Sequence, residues 1–196
     1  MKRILKATLL ATLLSSSLMA EMVFDLRAQQ FSNSLEGKFK DSTYDVGKSI
    51  VSTGLAYVDG SYRPKAGEID GIRVRVKEPK PNWSVTFEMY SYLDTDGFGV
   101  TLQDPDGHAI NLAFGRGYIA VDGETKSLSS LYRSETFNCS IEKQEEGIKI
   151  VINGLYIFVV KKKKFNLSYV NISLSGVDGK NVVDRISSLA IVTSDI

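Results

Sequence analysis

Apolar and polar residues alternate with period two along much of this chain. From Trp83 to Tyr90 the alternation runs unbroken: Trp83, Val85, Phe87 and Met89 fall on one side, Ser84, Thr86 and Glu88 on the other. That period belongs to a strand with one buried face. Residues 69–76 repeat the pattern, with Ile72, Val74 and Val76 opposed to Arg73, Arg75 and Lys77. Pro79-Lys80-Pro81 ends this strand, because proline has no N–H to give to a ladder.

Further strands are predicted over 98–102, 108–114 and 118–121. Asp104-Pro105-Asp106-Gly107, Gly115-Arg116-Gly117 and Asp122-Gly123 are turn sequences, in which proline presets φ and glycine permits positive φ. The clearest hairpin runs from Gly147 to Val160. There Asn153-Gly154 separates two β-branched runs and suits a two-residue turn with positive φ at both positions. Closing strands are expected at 169–174 and 186–192. Segment 28–45 is polar and reads as a loop or a short helix. No longer helix, internal repeat or linker is visible. About a dozen short strands at this spacing predict an all-β fold, a two-sheet antiparallel sandwich or a barrel.

The first twenty residues add a destination. Lys2, Arg3 and Lys6 give a positive start, an apolar stretch runs from Ile4 to Leu14, and Ser15 to Ala20 are mostly small. This describes a signal peptide over 1–20, cut after Ala20, and predicts a periplasmic or secreted protein of bacterial type. The apolar stretch falls short of the ~20 residues a bilayer span needs, so no stable membrane insertion is expected after cleavage. Residues 21–196 then form a single domain with room for a sizeable core. Cleavage leaves 21 basic against 23 acidic residues, a near-neutral balance that offers nucleic acid no electrostatic attraction. Cys139 is the only cysteine, so no internal disulfide forms. Its alternation with Phe137 and Ile141 makes it a buried strand residue.

The order of features narrows the fold. Trp83-Ser84-Val85-Thr86-Phe87-Glu88-Met89 looks like a strand opening a curved sheet. Asp96-Gly97-Phe98-Gly99-Val100-Thr101-Leu102-Gln103-Asp104 is similar to the Asp-Gly-Phe strand of L-type lectins. Phe137 to Ile141, followed by the hairpin ending at Asn153-Gly154, is similar to the late hairpin of laminin-G-like domains. Asp184 to Ile191 resembles their closing strand, and Val23-Phe24-Asp25-Leu26 their opening one. In pattern the chain resembles the concanavalin A-like lectin and glucanase superfamily over about two thirds of its mature length. The resemblance implies a jelly-roll sandwich that binds sugars or proteins on a concave face or a loop rim. Fold alone does not fix function.

Catalytic chemistry finds little support. A retaining glycosidase needs two carboxyl groups flanking the scissile bond, and residues at i, i+2 and i+4 share a strand face. Glu68-Ile69-Asp70 begins such a motif, but Ile72 and Arg73 stand where a further glutamate belongs. The lone His108 follows a turn and reads as an exposed polar residue. One histidine and one cysteine do not build a zinc shell. Asp94-Thr95-Asp96-Gly97 is the best metal candidate, with Asp94 and Asp96 as oxygen ligands for calcium, although the EF-hand glutamate is missing. The same turn is common in hairpins without a metal. Lys161 to Lys164 reads as a solvated turn shielding the apolar hairpin from aggregation, with a polyanion contact as the alternative.

The resemblance implies a sugar-bonding role for Asp96, while the family's metal cluster of acids, Asn and His has no counterpart in the sequence. Tyr90, Tyr92, Tyr118 and Tyr132 offer stacking faces. The expectation is therefore a non-catalytic domain binding an envelope or other glycan at one rim, through Tyr92, Asp94, Asp96, Asp106, His108 and Tyr118. A protein-interaction or structural module of the bacterial envelope is the alternative, and a glycoside hydrolase is a more distant one.

Overall fold

A computed structural model describes residues 20–27, 42–65, 67–91, 98–115, 117–127, 135–176 and 184–195. Sixteen strands and no helix occur among them. The first seven are β1 (Glu21–Asp25), β2 (Ser42–Val46), β3 (Ser49–Thr53), β4 (Ala56–Val58), β5 (Ser61–Arg63), β6 (Ile69–Val76) and β7 (Asn82–Ser91). Then come β8 (Phe98–Gln103), β9 (Ala109–Gly115), β10 (Tyr118–Val121), β11 (Glu124–Ser127) and β12 (Glu135–Gln144). The last are β13 (Gly147–Ile152), β14 (Tyr156–Val160), β15 (Tyr169–Ser175) and β16 (Arg185–Ser194).

They form two antiparallel sheets. The first runs β14-β13-β12-β7-β16-β5-β4, with β1 added against β16. The second runs β11-β10-β9-β8-β15-β6-β3-β2. Inward side chains of both sheets build one core. Trp83, Val85, Phe87 and Met89 on β7 meet the inner residues of the second sheet, among them Ile72, Val74, Val100, Leu102, Leu112 and Ile172. All are buried because each occupies the apolar phase of its strand's alternation. Three phenylalanines knit the layers: Phe98 and Phe114 stack at 4.1 Å between centroids, and the Phe137 ring meets them edge-on at 5.5 and 5.1 Å. Trp83 donates its indole N–H to the Phe165 carbonyl at 2.9 Å, so its polar handle is satisfied inside the core.

The expected two-sheet sandwich is what forms, and every strand expected from β6 onward is present. At the Asn153-Gly154 turn φ is 52° and 67°, as the two-residue turn requires. Cys139 is buried, and burial pushes its thiol's pKa up, away from reactivity. The sequence reading missed β2 to β5 and β11. Residues 42–45, placed in a loop or helix, are strand. Tyr57-Val58-Asp59-Gly60-Ser61-Tyr62 is a hairpin whose Asp59-Gly60 turn has positive φ at both positions, but its strands of three residues each are too short to show a period.

Candidate functional site

The described members of the expected rim, Asp106, His108 and Tyr118, fall into two places. Asp106 and His108 sit in the β8–β9 hairpin, where the chain turns tightly: Asp104 N–H donates to the His108 carbonyl at 3.0 Å, and Gly107 N–H to the Asp104 carbonyl at 3.2 Å. Asp104 is the buried member and holds the loop. One carboxylate oxygen accepts the His108 backbone N–H at 2.8 Å, and the other lies 2.9 Å from His108 Nδ1. The carboxyls of Asp104 and Asp106 and the His108 ring converge, each offering a ligand atom within 4.8 Å of the others. This is the one cluster of three metal-capable side chains among the described residues. The loop borders a rim cleft of about 610 Å³, lined also by Lys143, Glu145, Lys163 and Asn166.

Burial alone would raise the Asp104 carboxyl. The hydrogen bonds from the His108 ring and backbone N–H, the imidazole charge and the Asp106 N–H outweigh it and hold the pKa below the usual carboxylate value. A carboxyl depressed in the folded state stabilises above its unfolded pKa, and that contribution is lost as pH falls through the folded value. The wild type is therefore expected to lose melting temperature on acidification below about pH 4, and Asp104→Asn to lose less over the same window. Thermal melts of both proteins between pH 7 and pH 2.5 check this; parallel curves would contradict it.

Tyr118 does not join that loop. It pairs with Gly115 at the far end of β9, about 20 Å along the strand from Ala109. Its ring covers Gly115, where any Cβ would lie 2.4 Å from ring atoms. Tyr92, Asp94, Asp96 and Tyr132 lie outside the described residues. Of the described candidates, Asp106 and His108 thus stand at one end of β9 and Tyr118 at the other.

Glu68 and Asp70 take separate duties. Glu68 pairs with Lys65 at 3.0 Å, and Asp70 accepts the Gly71 N–H at 2.6 Å. Lys162 and Lys163 are tied to Asp122 and Glu146 at 3.3 and 3.0 Å, so half of the lysine run is engaged in ordinary surface pairs.

A different arrangement emerges on the outer face of the second sheet. Strand register sets Thr43, Ser52, Arg73, Asn171, Thr101 and Asn111 side by side across β2, β3, β6, β15, β8 and β9. Residues directly opposite in an antiparallel pair share a face, so six hydrogen-bonding side chains form one row. Five strand spacings make it about 24 Å long. Thr43 and Ser52 hydroxyls lie 3.2 Å apart, and Thr101 donates to Asn111 Oδ1 at 3.0 Å.

The adjacent row, two residues along each strand, is Gly71, Ser173, Gly99, Ala113, Ala120 and Thr125. Its side chains are small, so the sheet surface lies low beside the polar row. Tyr118, 40% exposed, stands next to Ala120 at one end. At the other end a cavity of about 400 Å³ opens, lined by Thr43, Ser52, Asp70, Arg73, Asn171 and Ser173 among others. Gly71 lets β6 lie close against β15 here: a Cβ there would sit 2.1 Å from the Ile172 carbonyl oxygen.

No protein-family model matches the sequence, and no curated protein does. Solved structures do. The metal-free lectin I-B4 from Griffonia simplicifolia aligns with a TM-score of 0.55 at 13% identity, over 81% of this chain and 98% of that one. The exoplasmic/lumenal domain of VIP36, bound to Ca2+ and Man3GlcNAc, aligns at 0.51 and 11% identity, over 74% and 82%. The CBM2 module of the evolved Dit protein of Lactobacillus casei BL23 phage J-1 aligns at 0.59 and 12% identity, over 91% and 97%. The fold is the concanavalin A-like jelly roll. Within that jelly roll, the polar row and its floor occupy the solvent side of one sheet, and the Asp104 hairpin occupies one end of the same sheet.

Proposed function

We propose that this chain is an exported, non-catalytic carbohydrate-binding domain that holds a glycan on the outer face of its second sheet. One observation carries the reading. Six polar side chains stand in register beside a floor of small residues, giving many hydrogen-bonding groups along a line with space above it. A sugar chain presents the complement, hydroxyls around its edges and thin apolar faces, and Tyr118 supplies a ring with a polar tip at one end. Structural likeness to lectins and to a CBM2 module supports the same reading. Export rests on the N-terminal twenty residues.

Asn171 is central in the row and can both donate and accept. A glycan array probed with wild type and Asn171→Ala tests the site. Wild type is expected to bind at least one glycan class, and the variant to bind it about tenfold more weakly, the loss of one or two hydrogen bonds. Equal binding by both would remove the site from this face.

A second reading, an envelope protein-interaction module, draws on Leu155, Ile157 and Val159 at or beside edge strand β14, which are 79, 47 and 58% exposed. One stoichiometric protein captured from an envelope fraction, with no glycan bound on the array, would favour it.

A further inference from the structure

The chemistry of the face selects among glycans. Arg73 and Arg75 both point outward from β6, and their neighbours across the sheet are Ser52 and Ile50 on β3 and Asn171 and Tyr169 on β15. Neither guanidinium pairs with a carboxylate among the described residues. Seven lysines show the opposite habit: Lys48, Lys65, Lys77, Lys80, Lys126, Lys162 and Lys163 each lie within 4 Å of an acid. Arg73 is also held in place, its guanidinium carbon 4.5 Å from the centroid of the Tyr169 ring. It lines the 400 Å³ cavity together with hydroxyls of Thr43 and Ser52 and the amide of Asn171. Asp70 is the acidic residue in that lining, and one of its oxygens is already engaged by the Gly71 N–H.

A guanidinium fixed on an aromatic face, with its fork of donors uncommitted, suits a planar or tetrahedral oxyacid that accepts two parallel hydrogen bonds. Arg75, two residues along the strand and about 7 Å away, extends the positive field on the same side. From this geometry we infer that the ligand is an acidic glycan, whose carboxylate or sulfate group is bound by Arg73 while its hydroxyls lie along the polar row. The inference rests on the carbohydrate reading above and narrows it to one charge class.

The test uses the full chain and matched probes. Titration calorimetry would compare galacturonate hexasaccharide, its fully methyl-esterified counterpart, a heparin-derived hexasaccharide and neutral cellohexaose, beside the array already described. At least one acidic probe is expected to bind: binding of the galacturonate hexasaccharide shows that a carboxylate suffices, and binding of the heparin-derived hexasaccharide alone points to its sulfates. Arg73→Gln is expected to weaken that binding at least tenfold, and Arg73→Lys to restore only part, because the charge returns without the fork. Binding is expected to weaken as NaCl rises from 50 to 300 mM. Near-UV circular dichroism of the variants would establish that the sheet is intact. If neutral glycans bind, Asn171→Ala weakens them and Arg73→Gln does not, the acidic inference falls and the glycan face stands. If no glycan of either charge class binds, both fall.

Discussion

Phe137→Ala is expected to destabilise the domain by about 3–5 kcal/mol, a drop read from urea or guanidinium unfolding. Phe137 is fully buried on β12 and meets Phe98 and Phe114 across the sheet-to-sheet gap. Truncation removes the transfer free energy of the ring and leaves a cavity. It also removes two edge-on ring contacts, worth about 0.5–1.5 kcal/mol each. The neighbours cannot slide in, because Phe98 and Phe114 are pinned by their stacking on adjacent paired strands. With no disulfide to hold the chain, the core is the main source of cohesion, and the whole loss should show at equilibrium. Phe137→Leu keeps most of the volume and should lose less than half as much. A loss below about 1 kcal/mol for the alanine variant would mean that the two sheets do not meet at this trio.

The same residue shows how much of the fold was legible beforehand. Phe137, Cys139 and Ile141 alternate, and alternation fixes which side chains of a strand share a face whatever the strand packs against. Long strands such as β7 and β12 therefore announced their inner residues, and Asn153-Gly154 announced its own turn. Strands of three residues, such as β4 and β5, carry too few positions to express a period. The site was less visible for a different reason. Arg73, Asn171, Thr101 and Asn111 were each readable as outward residues, yet nothing local says that they lie in one row. That depends on β15 inserting between β6 and β8, a pairing between segments some seventy to a hundred residues apart. Asp104 is legible as a turn residue, but its clasp on His108 depends on a burial that only the folded hairpin supplies.

Filling the floor is the most demanding test of the face, because it should abolish binding without disturbing the core. Gly99→Leu is expected to reduce glycan affinity by about 100-fold, equivalent to about 2.8 kcal/mol, while leaving the melting temperature within a few degrees of wild type. Gly99 lies mid-row between Ser173 and Ala113, on the solvent side of β8. A Cβ at this position makes only an ordinary contact, 3.7 Å from the Leu112 carbonyl oxygen, and its φ is not positive. The fold can therefore accept a side chain there, and a strand loses no ladder hydrogen bond by the change. Gly71 contrasts with it, since a Cβ there strikes backbone and binding would be lost through misfolding alone. A branched side chain at Gly99 would instead stand in the trough beside Thr101 and Asn171 and hold a sugar chain off both. Ala113→Leu, one strand further on, should act in the same way. Calorimetric titration with melts of the same samples separates the outcomes. Lost binding with an unchanged melt places the ligand over this floor. Full binding by both filled variants would move the site elsewhere, with the cleft beside the Asp104 hairpin the next surface to probe.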